Sequence, residues 1–227
     1  MIRNTKIYTS TDDIWTPVVE EDIAFSFTYG TYRSTKINNM KVLKKEALDK
    51  EYRESELLEI STVSDNKFGN MLSALNLNIK LKSGREMSVE NIYQLSKKPN
   101  KGHIEYFEFG PTRFSNEPKT MYYDYLYMLA LYTHKEYWEY LENYKYFTDV
   151  FFNSCKQINT QARAAAIFKT FLGNTDFLEI MENSKDFKDY YKKIKILHKW
   201  FLQIFIDFLR KMWYNLLTIE EGDYIWQ

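Results

Sequence analysis

Glu90, Gln94 and Lys97 stand at positions i, i+4 and i+7 of the segment Ser88-Val-Glu-Asn-Ile-Tyr-Gln-Leu-Ser-Lys97. On a helix these three share one face, flanked by Tyr93, while Val89, Ile92 and Ser96 point elsewhere. An acid, an amide and an amine in line offer a proton donor, a polar anchor and a nucleophile. The same spacing also describes an ordinary solvated face with a weak charge pair, and periodicity by itself does not separate the two. Other chemistries are poorly represented. Cys155 is the single cysteine, and His103, His134 and His198 are scattered. An internal disulfide, a Cys/His zinc site and a His-based triad are therefore not expected. No cluster of carboxylates or histidines has metal-ligand spacing, so the expectation is no metal and no cofactor.

Several elements must bring this stripe into a fold. Residues 22–29 alternate apolar and polar from Ile23 onward, the pattern of a half-buried strand. Leu57 to Val63 is a second strand candidate, Leu75 to Met87 a hairpin turning at Lys82-Ser83-Gly84, and Phe107 to Phe109 one more short strand. Ser88 is placed to cap a short helix running to about Lys97. Beyond this the pattern is helical. Pro118 suits the first turn of a helix over 118–133, and a shorter helix follows over 135–144. Asn159 is positioned to cap a helix over 160–172 that stops at Gly173. Apolar residues at helical spacing predict a last helix over 186–217. The reading is α+β and predominantly helical, with a few short N-terminal strands. Residues 1–173 form the domain, and 174–227 form a helical extension packed on it.

Composition narrows the classes of function. The chain has 227 residues, with 31 Lys and Arg against 31 Asp and Glu. Zero net charge gives no whole-protein attraction to nucleic acid or to an anionic membrane, so contact with DNA has to come from a local basic patch. Aromatic residues make up 18%, with 19 Tyr and 16 Phe, enough for an aromatic core or for stacking on a base. The most apolar stretch, 194–217, is interrupted by Lys195, Lys199, Asp207, Arg210 and Lys211, which argues against a spanning helix. Taken as 186–217, the final helix carries four more basic than acidic side chains, a second candidate for phosphate contact. No signal-peptide core occurs in residues 1–15, and a reducing cytoplasm fits the single thiol.

Val89-Glu-Asn-Ile-Tyr-Gln-Leu-Ser-Lys97 resembles the Ser-Glu-His-Tyr-Tyr-Gln-Ala-Gln-Lys helix of the NADAR family, which includes YbiA-like N-glycosidases. Leu72-Ser-Ala-Leu-Asn76 is similar to the family's Leu-Ser-Asn-Phe segment, with Ala74 where Asn is usual. Phe147-Thr-Asp149 and Asn159-Thr-Gln-Ala-Arg163 resemble its C-terminal block, but Val150-Phe-Phe stands where the family carries Trp-Gly. A closer likeness is to the branch paired with DarT-type toxins. It rests on Glu117 to Tyr127, Tyr146 to Asp149, Ile158 to Ala166, and Ile23 to Tyr29 with Ser34-Thr-Lys36. Together these cover about residues 20–172 in order, and nothing comparable was found after 173.

The resemblance implies hydrolysis of an N-glycosidic bond, with removal of ADP-ribose from guanine in single-stranded DNA that a DarT-type toxin has modified. Glu90 is then the acid/base, with a pKa raised by an apolar setting beside Tyr93. Lys97 is the nucleophile or a diphosphate contact, with Lys36 and Lys119 in reserve. Asp149 holds ribose hydroxyls or orients a water. Asn76, Tyr93 and Gln94 contact substrate, Asn159 and Arg163 meet phosphate at a helix N-terminus, and Phe114 stacks on the base. The implied partners are ADP-ribosylated DNA or ADP-ribose and a cognate DarT-type toxin, with no membrane. Two other readings remain at this point: an N-glycosidase acting on phosphorylated riboflavin-pathway intermediates, and a non-catalytic protein that binds ADP-ribose or the toxin.

Overall fold

In the computed structural model, which describes residues 1–81, 83–174 and 178–194, the chain opens with two long strands. These are β1 (Ile2–Ser10) and β2 (Val18–Ser26), paired antiparallel along their whole length. β1 was not expected from sequence, because Arg3, Asn4, Thr5 and Lys6 blur its alternation. Two short strands complete the sheet, β3 (Leu57–Glu59) and β9 (Tyr146–Thr148), in the order β2-β1-β9-β3. β3 and β9 run parallel, with Glu59 opposite Thr148. That register joins residues far apart in sequence.

A helix that the sequence pattern also conceals, α1 (Arg33–Asp49), covers one face of this sheet. It is mostly polar, and its buried residues are only Asn39, Met40, Leu43 and Ala47. Met40, Leu43 and Ala47 still fall one helical turn apart, and they pack with Ile7, Ile23, Phe25, Leu57 and Val150. Burying each large side chain of that cluster contributes roughly 1.5–3 kcal/mol, enough to override weak local preference. Neighbouring strand residues point to opposite faces. Ile7 joins this cluster, and Tyr8 turns the other way, where α6 (Gln161–Leu172) packs against β1 and β9.

The expected hairpin forms, with β4 (Asn78–Lys80) pairing β5 (Glu86–Ser88). Ser88 ends it and caps α3 (Val89–Ser96), its hydroxyl accepting from the Asn91 amide. Lys97 is already extended and opens β6 (Lys97–Asn100), which pairs with β7 (His103–Phe109), itself paired with β8 (Thr112–Ser115). α2 (Lys67–Met71) follows β3 in sequence and packs on it. α4 (Met121–Thr133) begins three residues after Pro118, and α5 (Trp138–Glu142) lies within the helix expected over 135–144.

α4 presents an aromatic layer to α3 and β7, in which Tyr93, Phe107, Tyr122, Phe114 and Tyr125 meet ring to ring at 4.8–5.4 Å. The fold is α+β. Met1–Phe187 form one compact unit, and the chain from Lys188 onward belongs to another. Residues 184–194 are helical, and the remainder of the helix expected over 186–217, with its basic excess, lies outside the described residues. No helix among the described residues is long and apolar enough to cross a membrane.

Candidate active site

Four parts of the fold converge on a cavity of about 620 Å³. α3 supplies Glu90, Tyr93 and Gln94, and Lys97 follows at its end. The turn before the hairpin gives Ser73, Ala74 and Leu75, α1 gives Lys36, and the segment from the end of β9 to the start of α6 gives Asp149, Phe151, Asn159, Thr160 and Gln161. Backbone bonds lock α3 to the turn: the amides of Val89 and Glu90 donate to the carbonyls of Leu77 and Ala74, both at 2.9 Å. The Gln161 side chain ties the opposite side, accepting from the Ala74 amide and donating to the Ile60 carbonyl, each at 2.7 Å.

Along the α3 wall the polar groups are bonded in series. The Gln94 amide nitrogen donates to a Glu90 carboxylate oxygen at 2.5 Å, and the Lys97 amine donates to the Gln94 carbonyl at 2.7 Å. Charge fixes the orientation of the amide, since a carboxylate accepts and an ammonium donates. The Lys97 amine also lies 4.5 Å from the centre of the Tyr93 ring, close enough for a cation–π contact. Glu90 and Lys97 are both half-buried. Among the described residues neither Lys36 nor Lys97 is within ion-pair distance of a carboxylate, which leaves two amines available to an anionic ligand.

The floor is different. Asp149 is buried, and its carboxylate accepts from the Phe151 amide at 3.0 Å and the Thr160 hydroxyl at 3.1 Å. Burial raises its pKa to about 6 despite those bonds. The buried Tyr123 borders the same space, and Tyr93 meets it edge to face at 5.1 Å. Asn159 donates to the Tyr93 hydroxyl at 2.8 Å, while its own side-chain oxygen is buried and makes no hydrogen bond. That oxygen is an acceptor available to a ligand donor.

A family model described as DarT1-associated NADAR antitoxin matches residues 3–102 and 96–199. The chain belongs to that family. No curated protein matches it.

Of the candidate residues in this NADAR chain, Lys36, Glu90, Tyr93, Gln94, Lys97, Asp149 and Asn159 line the cavity. Asn76, Phe114, Lys119 and Arg163 lie outside its lining. Asn76 instead bonds Asn70, and Phe114 is 1% exposed within the aromatic layer. Lys119 is exposed ahead of α4. Arg163 is paired with Glu20 at 3.0 Å and with Asp124, so its charge is already matched. It borders an adjacent cavity of about 310 Å³ that shares Phe152, Gln157 and Ile158 with the first.

Two local expectations need correction. The residue that caps α6 is Thr160, whose hydroxyl accepts from the Ala162 amide, and this frees the Asn159 side chain to face Tyr93. Lys97 is not a helical residue: its amine reaches the stripe from the first position of β6. Thr160, Gln161, Tyr123 and Glu59 were missed altogether. Thr160 was legible as a cap, since Asn and Thr are adjacent and both favour that position. Glu59, buried in β3, sent no sequence signal beyond being an acid in an apolar run.

Proposed function

We propose that this chain removes ADP-ribose from guanine in DNA by cleaving the N-glycosidic bond, and so reverses the action of a DarT-type ADP-ribosyltransferase. The observation that carries the reading is the hydrogen-bonded series Glu90–Gln94–Lys97 on one wall of a cavity that also holds Lys36 and Asp149. Membership of a family of DarT1-associated antitoxins supports the choice of substrate.

In this reading the ribose ring opens first, its oxygen taking up the proton that the attached nitrogen gives up, and Glu90, protonated, donates to the guanine nitrogen as that nitrogen is later expelled. Once the ribose ring opens, the nitrogen and the sugar carbon form an imine. The Lys97 amine adds to that carbon and expels the guanine nitrogen, giving a lysine imine. Water then hydrolyses it, returning the free amine and ADP-ribose. The net reaction consumes one water and forms one N–H on the base and one hydroxyl on the sugar. Lys36 meets the diphosphate, Asp149 takes ribose hydroxyls or orients the water, and the unpartnered Asn159 oxygen accepts from the sugar. Gln94 sets the distance between acid and amine.

The test is incubation with guanine-ADP-ribosylated single-stranded DNA, following free ADP-ribose by chromatography. Release at substoichiometric protein is the expected result, and none at high protein concentration would remove the hydrolase reading in favour of a binding protein. Borohydride added during turnover should trap a covalent adduct in the wild type and none in Lys97→Met. An unmodified wild-type protein would leave the lysine with phosphate contact alone.

A further inference from the structure

Beneath the candidate site sits a second buried carboxyl that does not line it. Glu59 is 5% exposed at the end of β3. One of its oxygens accepts from the Thr148 hydroxyl at 2.5 Å and the other from the Val150 amide at 2.9 Å. These two residues flank Asp149. The Ile60 amide adds a bond to the Thr148 carbonyl at 2.9 Å, so β3 grips β9 at the point where the chain turns toward the cavity. The fit is tight from behind as well: a Cβ added to Gly69 of α2 would stand 2.1 Å from the Glu59 carbonyl oxygen.

We propose that Glu59 is a positioning residue for Asp149: it holds the residues on both sides of Asp149, through the Thr148 hydroxyl and the Val150 amide, and, by its own ionisation, sets how much negative charge the cavity floor holds. This rests on the reading of Asp149 as a substrate or water contact. A hydrophobic residue in β3 would fill the same volume, whereas a carboxyl there must be desolvated and satisfied, which costs free energy. Both of its hydrogen bonds go to the residues that flank Asp149.

The charges around the pair are few. Glu59 also lines a second cavity of about 170 Å³ with Lys44 of α1, Glu54, Asp65 and Tyr144. Lys44 is already paired with Glu54 at 3.1 Å and Asp65 at 2.9 Å. Asp149 faces Thr160 and is within electrostatic range of Arg3 and Tyr8 of β1 and of Tyr123 and Tyr127 of α4. Lys36 and Glu90 border its cavity.

Burial first, and the Asp149 charge second, raise the Glu59 pKa to about 7. As pH rises the pair therefore acquires one negative charge and then a second. The second cavity, of about 170 Å³, has room for several waters. Glu59 can thus exchange its proton while substrate fills the first.

Carbon-13 carboxyl NMR of the full chain tests the charge coupling without any need for turnover. The wild type should show Asp149 responding to two ionisations, and Glu59→Gln only one. The ADP-ribose release assay then tests the role: kcat/KM in the wild type should change through about pH 7, and Glu59→Gln should lose that change. Thr148→Val keeps the carboxyl but removes one bond of the clamp. It should lower kcat by about tenfold through misplacement of Asp149, with the response near pH 7 retained. An Asp149 titration and a pH profile both unaltered in Glu59→Gln would overturn the proposal. If Glu59→Gln does not fold, a wild-type rate in Thr148→Val would overturn it instead. Absence of ADP-ribose release by the wild type counts against the hydrolase reading, while the NMR titration still decides whether the two carboxyls are coupled.

Discussion

The two sides of the cavity are built on opposite principles. The α3 wall uses long side chains from one helix and from the residue that follows it, half-buried or exposed, and joined to one another. The floor uses buried groups from the end of β9 and the start of α6, with Asp149 held by the Phe151 amide and the Thr160 hydroxyl, and Glu59 of β3 bonded to the Val150 amide behind it. A solvated wall leaves its long side chains room to move with a ligand. A desolvated floor shifts its carboxyls and fixes their geometry. The difference suggests a division of labour, with proton and bond chemistry on the wall and orientation by the floor.

The sharpest way to break that division is Glu90→Gln. The variant keeps the shape of the side chain and removes its proton chemistry, so ADP-ribose release should fall by about 10²–10⁴-fold with the melting temperature unchanged. An equal loss from Gln94→Ala alone would mean that the series acts as a unit and that Glu90 has no separate role.

The floor should reveal itself through stability. The Asp149 pKa is raised in the folded state, from 3.8 to about 6. Its contribution is therefore full below the unfolded value and is lost as pH rises through the folded one. Asp149→Asn cannot ionise. From about pH 4 to about pH 8 its stability relative to wild type should improve by on the order of 2–3 kcal/mol, read from urea midpoints. A difference independent of pH would show that this carboxyl is not desolvated.

The smallest effect expected is that of Ser88→Ala. Losing the hydroxyl that accepts from Asn91 should cost about 1 kcal/mol in urea unfolding. kcat should stay within about twofold, because the bonds from Val89 and Glu90 to the preceding turn still anchor the helix. A large loss of kcat would mean that the cap, rather than those bonds, aims Glu90.

What was legible in the chain follows the same divide. α3 was readable because its cap, its apolar positions and its polar stripe all lie within ten consecutive residues. The hairpin and α6 were readable for the same reason, from a turn at Gly84 and a stop at Gly173. β1 was obscured because it is a central strand with polar residues such as Thr5 buried by the fold. α1 was obscured because only four of its residues are buried, in a run rich in Lys and Asn. Glu59 reaches the residues that flank Asp149 through a parallel pairing of strands about ninety residues apart, which no local pattern encodes. The neutralisation of Arg163 by Glu20 and Asp124 depends on contacts 143 and 39 residues apart, which local patterns do not encode either.

The junction of α3 with β6 has an effect on how this protein can diverge. The acid is carried by a helix, and the amine belongs to the first rung of a hairpin ladder, opposite Phe107. Drift in the hairpin, or in the ring beneath it, can re-aim the amine and leave the acid where it was. The two halves of the proposed pair are thus open to separate tinkering, although only six residues of chain lie between them.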